Sequence, residues 1–89
     1  MVEKKFTVIN PEGLHLRPAG IFAEQMGLFE SEINIIYNGT KVNAKSLLSI
    51  LTACIKCGAE IVVQFEGTDE QQAAQKASEL IESGFAGVE

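Results

Sequence analysis

Phe6 and Val8 alternate with Lys5, Thr7 and Ile9 before the turn formers Asn10-Pro11-Glu12-Gly13 break the pattern, which predicts a strand over residues 3–9. From residue 16 to 26 the apolar positions Leu16, Ala19, Phe22, Ala23 and Met26 recur at helical spacing with Gly27 as the stop, so a first helix starts around His15. Pro18 fits there because first-turn N–H groups have no helical acceptor and the ring presets φ. Ile33, Ile35 and Tyr37 alternate with Glu32 and Asn34, and Asn38-Gly39 is the favoured two-residue hairpin turn into Thr40-Lys41-Val42-Asn43. Leu47, Leu48, Ile50 and Leu51 are too dense for strand alternation; with Ser46 as N-cap they predict a short second helix over residues 46–53. Residues 54–59 read as loop and residues 60–66 as an apolar strand. Thr68-Asp69-Glu70-Gln71 has the form of a capping box, with Thr68 as the cap and Gln71 reaching back. Ala73, Ala74, Ala77, Leu80 and Ile81 then supply the buried face of a third helix ending near Ser83-Gly84.

That order, βαββαβα, predicts an α+β fold: a four-stranded antiparallel sheet covered on one face by three helices, in a single domain over residues 1–89. Sheet and helices each need the other's apolar face. With 46% hydrophobic residues, eight Gly and two Pro, the chain has the composition of a folded domain. No apolar stretch approaches the roughly 20 residues that span a bilayer, and Met1-Val2-Glu3-Lys4-Lys5 leads into no signal core. The expectation is a cytoplasmic protein with no membrane insertion.

Charge narrows the choice of ligand. Seven Lys and Arg against twelve Asp and Glu give a net charge of -5, which repels nucleic acid phosphates, and one Tyr with five Phe and no Trp offers little for base stacking. Nucleic acid is therefore not an expected partner.

His15 is the only histidine, placed at a loop-to-helix junction with Arg17 two residues later. A lone histidine or a first-turn arginine is commonly just a surface residue. Here, however, unpaired helix N-terminal N–H groups can hold phosphoryl oxygens, the helix field favours the added anion, and Arg17 can add a charge-assisted bond. A cation at that helix end also calls for an anionic partner. No Gly-rich nucleotide loop, Ser-Asp-His set or magnesium-type carboxylate cluster is visible, so a phosphoryl group must arrive already activated. Carriage fits better than autonomous catalysis, and no cofactor is expected.

Cys54 and Cys57 have C-x-x-C spacing, but a second cysteine pair is missing, so no metal site is expected. A redox pair favours a helix start, whereas this one follows a helix whose dipole opposes thiolate formation; partly buried free thiols are the expected state.

Through Gly13-Leu14-His15-Leu16-Arg17-Pro18-Ala19 the chain resembles the HPr family, the histidine-containing phosphocarriers of the bacterial phosphoenolpyruvate-dependent sugar phosphotransferase system. The resemblance extends through Tyr37-Asn38-Gly39, Val42-Asn43-Ala44-Lys45-Ser46 and Gly67-Thr68-Asp69-Glu70, essentially the whole chain. It implies an open-faced β-sandwich and a monomer that is not itself an enzyme. It further implies that His15 is phosphorylated on Nδ1 by phospho-enzyme I and relieved by sugar-specific enzyme II A domains, with Arg17 stabilising the phosphate. Ser46 matches the serine that, in many relatives, an HPr kinase/phosphorylase modifies, making the protein a corepressor for a catabolite control repressor. A mainly regulatory paralogue, acting as a binding module in carbon catabolite control, is the alternative function.

Leu16 and Gly20 depart from the family pattern, Leu47-Leu48-Ser49 replaces its usual run after the serine, and Glu12 puts a carboxylate near His15. Leu16 with Leu47 or Leu48 is expected to form an exposed docking patch, and Lys45 to join Arg17 in facing an acidic partner surface.

Overall fold

The structure, a computed structural model, describes residues 1–85. Its elements follow the expected order: β1 (Val2–Thr7), α1 (Leu16–Met26), β2 (Glu32–Tyr37), β3 (Thr40–Asn43), α2 (Leu47–Thr52), β4 (Glu60–Glu66) and α3 (Glu70–Glu82). The strands form one antiparallel sheet in the order β1-β4-β2-β3. β4 therefore lies between β1 and β2, where its Ile61, Val63 and Phe65 are fully buried.

Strand periodicity sorts the two faces of this sheet. Phe6, Ile33, Ile35, Val42, Ile61, Val63 and Phe65 point toward the helices and are buried. The opposite face carries the cross-strand row Glu3, Gln64, Asn34 and Asn43, in which Gln64 Nε2 donates to Glu3 Oε2 at 2.8 Å. That outer face is mostly polar, interrupted by the Val62–Ile36 pair, so the open sheet can meet water on this side.

α3 packs on β1 and β4, and α1 packs against both α2 and α3. Phe22 of α1 meets Phe85 edge-on, ring centroids 6.4 Å apart, so the segment after α3 closes the core beneath α1. Lys4 reaches inward from the helix-side face of β1, and its Nζ donates to Ser78 Oγ at 3.2 Å.

Two expectations change. β1 ends at Thr7 instead of residue 9, because Val8 N–H bonds to the Ala59 carbonyl and the Val8 carbonyl accepts from Gly58 N–H, a pairing with a turn and not with a regular strand. Thr68 is not the cap of α3. The N-cap is Asp69, with no side-chain bond to its own helix, and Glu70 Oε1, not Gln71, reaches back to accept from Gly67 N–H at 3.1 Å.

Candidate functional site

His15 is the N-cap of α1, in extended conformation (φ -77°, ψ -171°), and its side chain makes no capping bond to the helix. Its carbonyl accepts from Ala19 N–H at 3.0 Å, starting the helix. Pro18 has no N–H. The first-turn amides not engaged in this way are therefore those of Leu16 and Arg17, both next to the half-buried imidazole. No acidic residue stands in the first turn, so nothing in α1 neutralises its positive end. Arg17 is exposed and makes no hydrogen bond or ion pair among the described residues. A donor-rich helix end and an imidazole thus meet at one surface point, with the exposed Arg17 two residues further on.

The loop before His15 is fixed from behind. Gly13 has φ +71°, and a Cβ there would run into the Ile55 carbonyl oxygen and stand 2.7 Å from Lys56 Cα, so only glycine lets the two segments lie this close. Leu14 N–H donates to that same Ile55 carbonyl at 2.9 Å, and the Leu14 side chain is buried. Ile55 is itself a core residue, anchoring an otherwise exposed loop. Glu12 is exposed.

The other residues singled out from the sequence fall at distinct places. Ser46 caps α2, its Oγ accepting from Ser49 N–H at 3.2 Å. Leu16 is 64% and Leu48 75% exposed, whereas Leu47 is half-buried against the core. Leu48 also borders a groove of about 540 Å³ between α2 and the β2–β3 hairpin, lined further by Tyr37, Lys41 and Thr52. Lys45 departs from expectation: its Nζ donates to the Phe29 carbonyl at 2.7 Å, tying the residue before the α2 cap to the loop after α1. That ammonium is engaged within the fold. Cys54 and Cys57 are free thiols and both exposed, not partly buried.

Among the described residues no group of three His, Cys, Asp or Glu could hold a metal ion, and no helix is long and apolar enough to cross a membrane. Sequence reasoning missed Asp69, whose carboxylate accepts from Ser31 Oγ, from Ser31 N–H at 2.9 Å and from Glu30 N–H at 2.8 Å. These bonds, the serine hydroxyl first and the Glu30 amide next, hold its carboxyl below the usual aspartate value. Only the acidic capping pattern hinted at it.

The family model described as the PTS HPr component phosphorylation site matches residues 2–83. The chain belongs to the HPr family. A phosphocarrier protein HPr of Buchnera aphidicola is 44% identical over 78 residues, 88% of this chain and 92% of that protein. The crystal structure of an HPr from Thermoanaerobacter tengcongensis superposes with a TM-score of 0.92 at 36% identity, covering 96% of each chain. That of an HPr from Bacillus anthracis gives 0.85 at 32% identity, over 90% of this chain and 95% of the other. The sheet order β1-β4-β2-β3 under three helices is the HPr fold, and HPr proteins carry phosphoryl groups without being enzymes.

Proposed function

We propose that His15 is the phosphoryl acceptor of this carrier. Nδ1 of the neutral ring attacks the phosphorus of the phosphohistidine on enzyme I; a new N–P bond forms while the donor's N–P bond breaks and returns its electron pair to the donor imidazole. Transfer to a sugar-specific enzyme II A domain repeats the exchange in the other direction. Leu16 N–H, Arg17 N–H and the Arg17 guanidinium hold the transferred oxygens. The observation that carries this reading is the combination at one helix end: His15 as N-cap, two unengaged amides beside it, and no acid in the first turn. Such a carrier needs no cofactor, acts as a monomer and works in the cytoplasm beside its partners.

Incubation with phosphoenolpyruvate and enzyme I, read by intact mass, tests it. The chain gains one acid-labile phosphate and His15→Ala gains none while keeping its circular dichroism spectrum. A labelled His15→Ala protein overturns the assignment.

Ser46 belongs to the same proposal as the site of an HPr kinase/phosphorylase, making the protein a corepressor for a catabolite control repressor. Its half-buried hydroxyl at the start of α2 supports this, because a dianion is tolerated at a helix N-terminus. Leu16, Leu47 and Leu48 form the proposed docking residues, with Arg17 supplying charge.

A further inference from the structure

The Cys54–Cys57 loop and the His15 loop are one mechanical unit. Ile55, lying between the cysteines, gives its carbonyl to Leu14 N–H, and Gly13 packs onto Ile55 and Lys56. The rest of the loop is held too: Gly58 N–H bonds to the Val8 carbonyl at 2.7 Å, and Cys57 Sγ lies 4.0 Å from the Ile9 carbonyl. Both thiols are exposed, so a small oxidant reaches them without unfolding anything.

A bond between the two cysteines calls for a turn that this segment does not make. Ile55 and Lys56 lie outside any helix, and no hydrogen-bonded turn joins Cys54 to Cys57; Lys56 only opens the next turn, its carbonyl accepting from Ala59 N–H at 3.0 Å. Three residues of open chain span up to about 10 Å, whereas a disulfide holds its Cα atoms roughly 4.4–6.8 Å apart. Closing the bond draws Ile55 and Lys56 into a turn, and the peptide that turns is the one whose carbonyl holds Leu14.

We propose that Cys54 and Cys57 form a thiol–disulfide exchange site that takes low-molecular-weight disulfides of the glutathione class and, when oxidised, releases the loop that positions His15. One thiolate attacks the disulfide, forming a mixed disulfide and expelling one small thiolate. The second cysteine then attacks the protein sulfur of that mixed disulfide and expels the other. The protein loses two electrons and two protons, and the small disulfide becomes two thiols. In the oxidised chain the Ile55 carbonyl no longer accepts from Leu14, and the residue before His15 loses its anchor.

This rests on the phosphocarrier reading for its consequence but not for its structural step, and two readouts keep them apart. The chain is equilibrated in glutathione buffers of rising oxidised-to-reduced ratio and followed by intact mass, by amide hydrogen exchange at Leu14 and by phosphoryl transfer from enzyme I. Expected is the loss of two hydrogens, faster exchange at Leu14, and transfer slowed roughly tenfold to a hundredfold, as for a misplaced reacting group. Reduction with dithiothreitol reverses all three, and Cys57→Ser in the same buffers shows neither the closed disulfide nor faster Leu14 exchange. A stable glutathione adduct without closure, or a closed disulfide with unchanged Leu14 exchange, overturns the proposal. If the reduced chain accepts no phosphate yet still shows the mass and exchange changes, the carrier reading fails and the exchange site stands.

Discussion

Leu14 donates its backbone N–H to the Ile55 carbonyl at 2.9 Å, so the residue that precedes His15 is held by a residue forty-one positions further along the chain. The position of the imidazole therefore depends on a contact that neither α1 nor its N-cap supplies.

Gly13→Ala tests that dependence. Alanine must hold φ +71°, a conformation its Cβ disfavours, and that Cβ meets Ile55 and Lys56 backbone atoms that cannot rotate away. The strained φ and the overpacking together are expected to cost about 2–4 kcal/mol. Chemical denaturation reads the loss, and phosphoryl transfer under folding conditions should fall as well, since His15 moves with the loop. Unchanged stability and transfer would show that the loops separate easily.

Lys45→Met separates structure from docking. Because Nζ is engaged with the Phe29 carbonyl, the substitution should lower stability by roughly 1 kcal/mol while leaving the salt dependence of transfer from enzyme I nearly as in the wild type. A flattened salt dependence with unchanged stability would return Lys45 to the docking surface.

Asp69 should set part of the acid sensitivity. Its folded carboxyl titrates below the usual 3.8, so its contribution is complete above that value and is lost as pH falls through the lower folded value. Asp69→Asn, which loses part of this acceptor set, is expected to be less stable than the wild type at neutral pH, with the gap closing in acid. Thermal unfolding at stepped pH checks this. A gap that stays constant down to the acid transition would mean the carboxylate charge plays no part.

The sequence made most of the frame readable because local and tertiary preferences agree there. Asn38 and Gly39 adopt φ +52° and +77°, the turn that their types favour, so the β2–β3 pairing was legible from two residues. α1 and β4 have the bounds their periodicity indicates. His15 and Arg17 were visible for a related reason: helix-start chemistry is local. Asp69 and Lys45 were missed because their side chains answer to distant backbone. Asp69 turns from its own helix to the loop at Glu30 and Ser31, and Lys45 turns to Phe29. No periodicity registers such partners, nor the burial of Ile55 inside an otherwise exposed loop.

The central claim concerns one atom, and the chain's single histidine makes it directly observable. Isotope-labelled protein is phosphorylated with phosphoenolpyruvate and catalytic enzyme I, and the imidazole nitrogens are followed by two-dimensional NMR with detection of coupling to phosphorus. The account predicts one phosphorus coupled to Nδ1 of His15, disappearing on acid treatment or on addition of an enzyme II A domain. A phosphorylated chain whose His15 nitrogens are unchanged, with the phosphorus on any other residue, would contradict it.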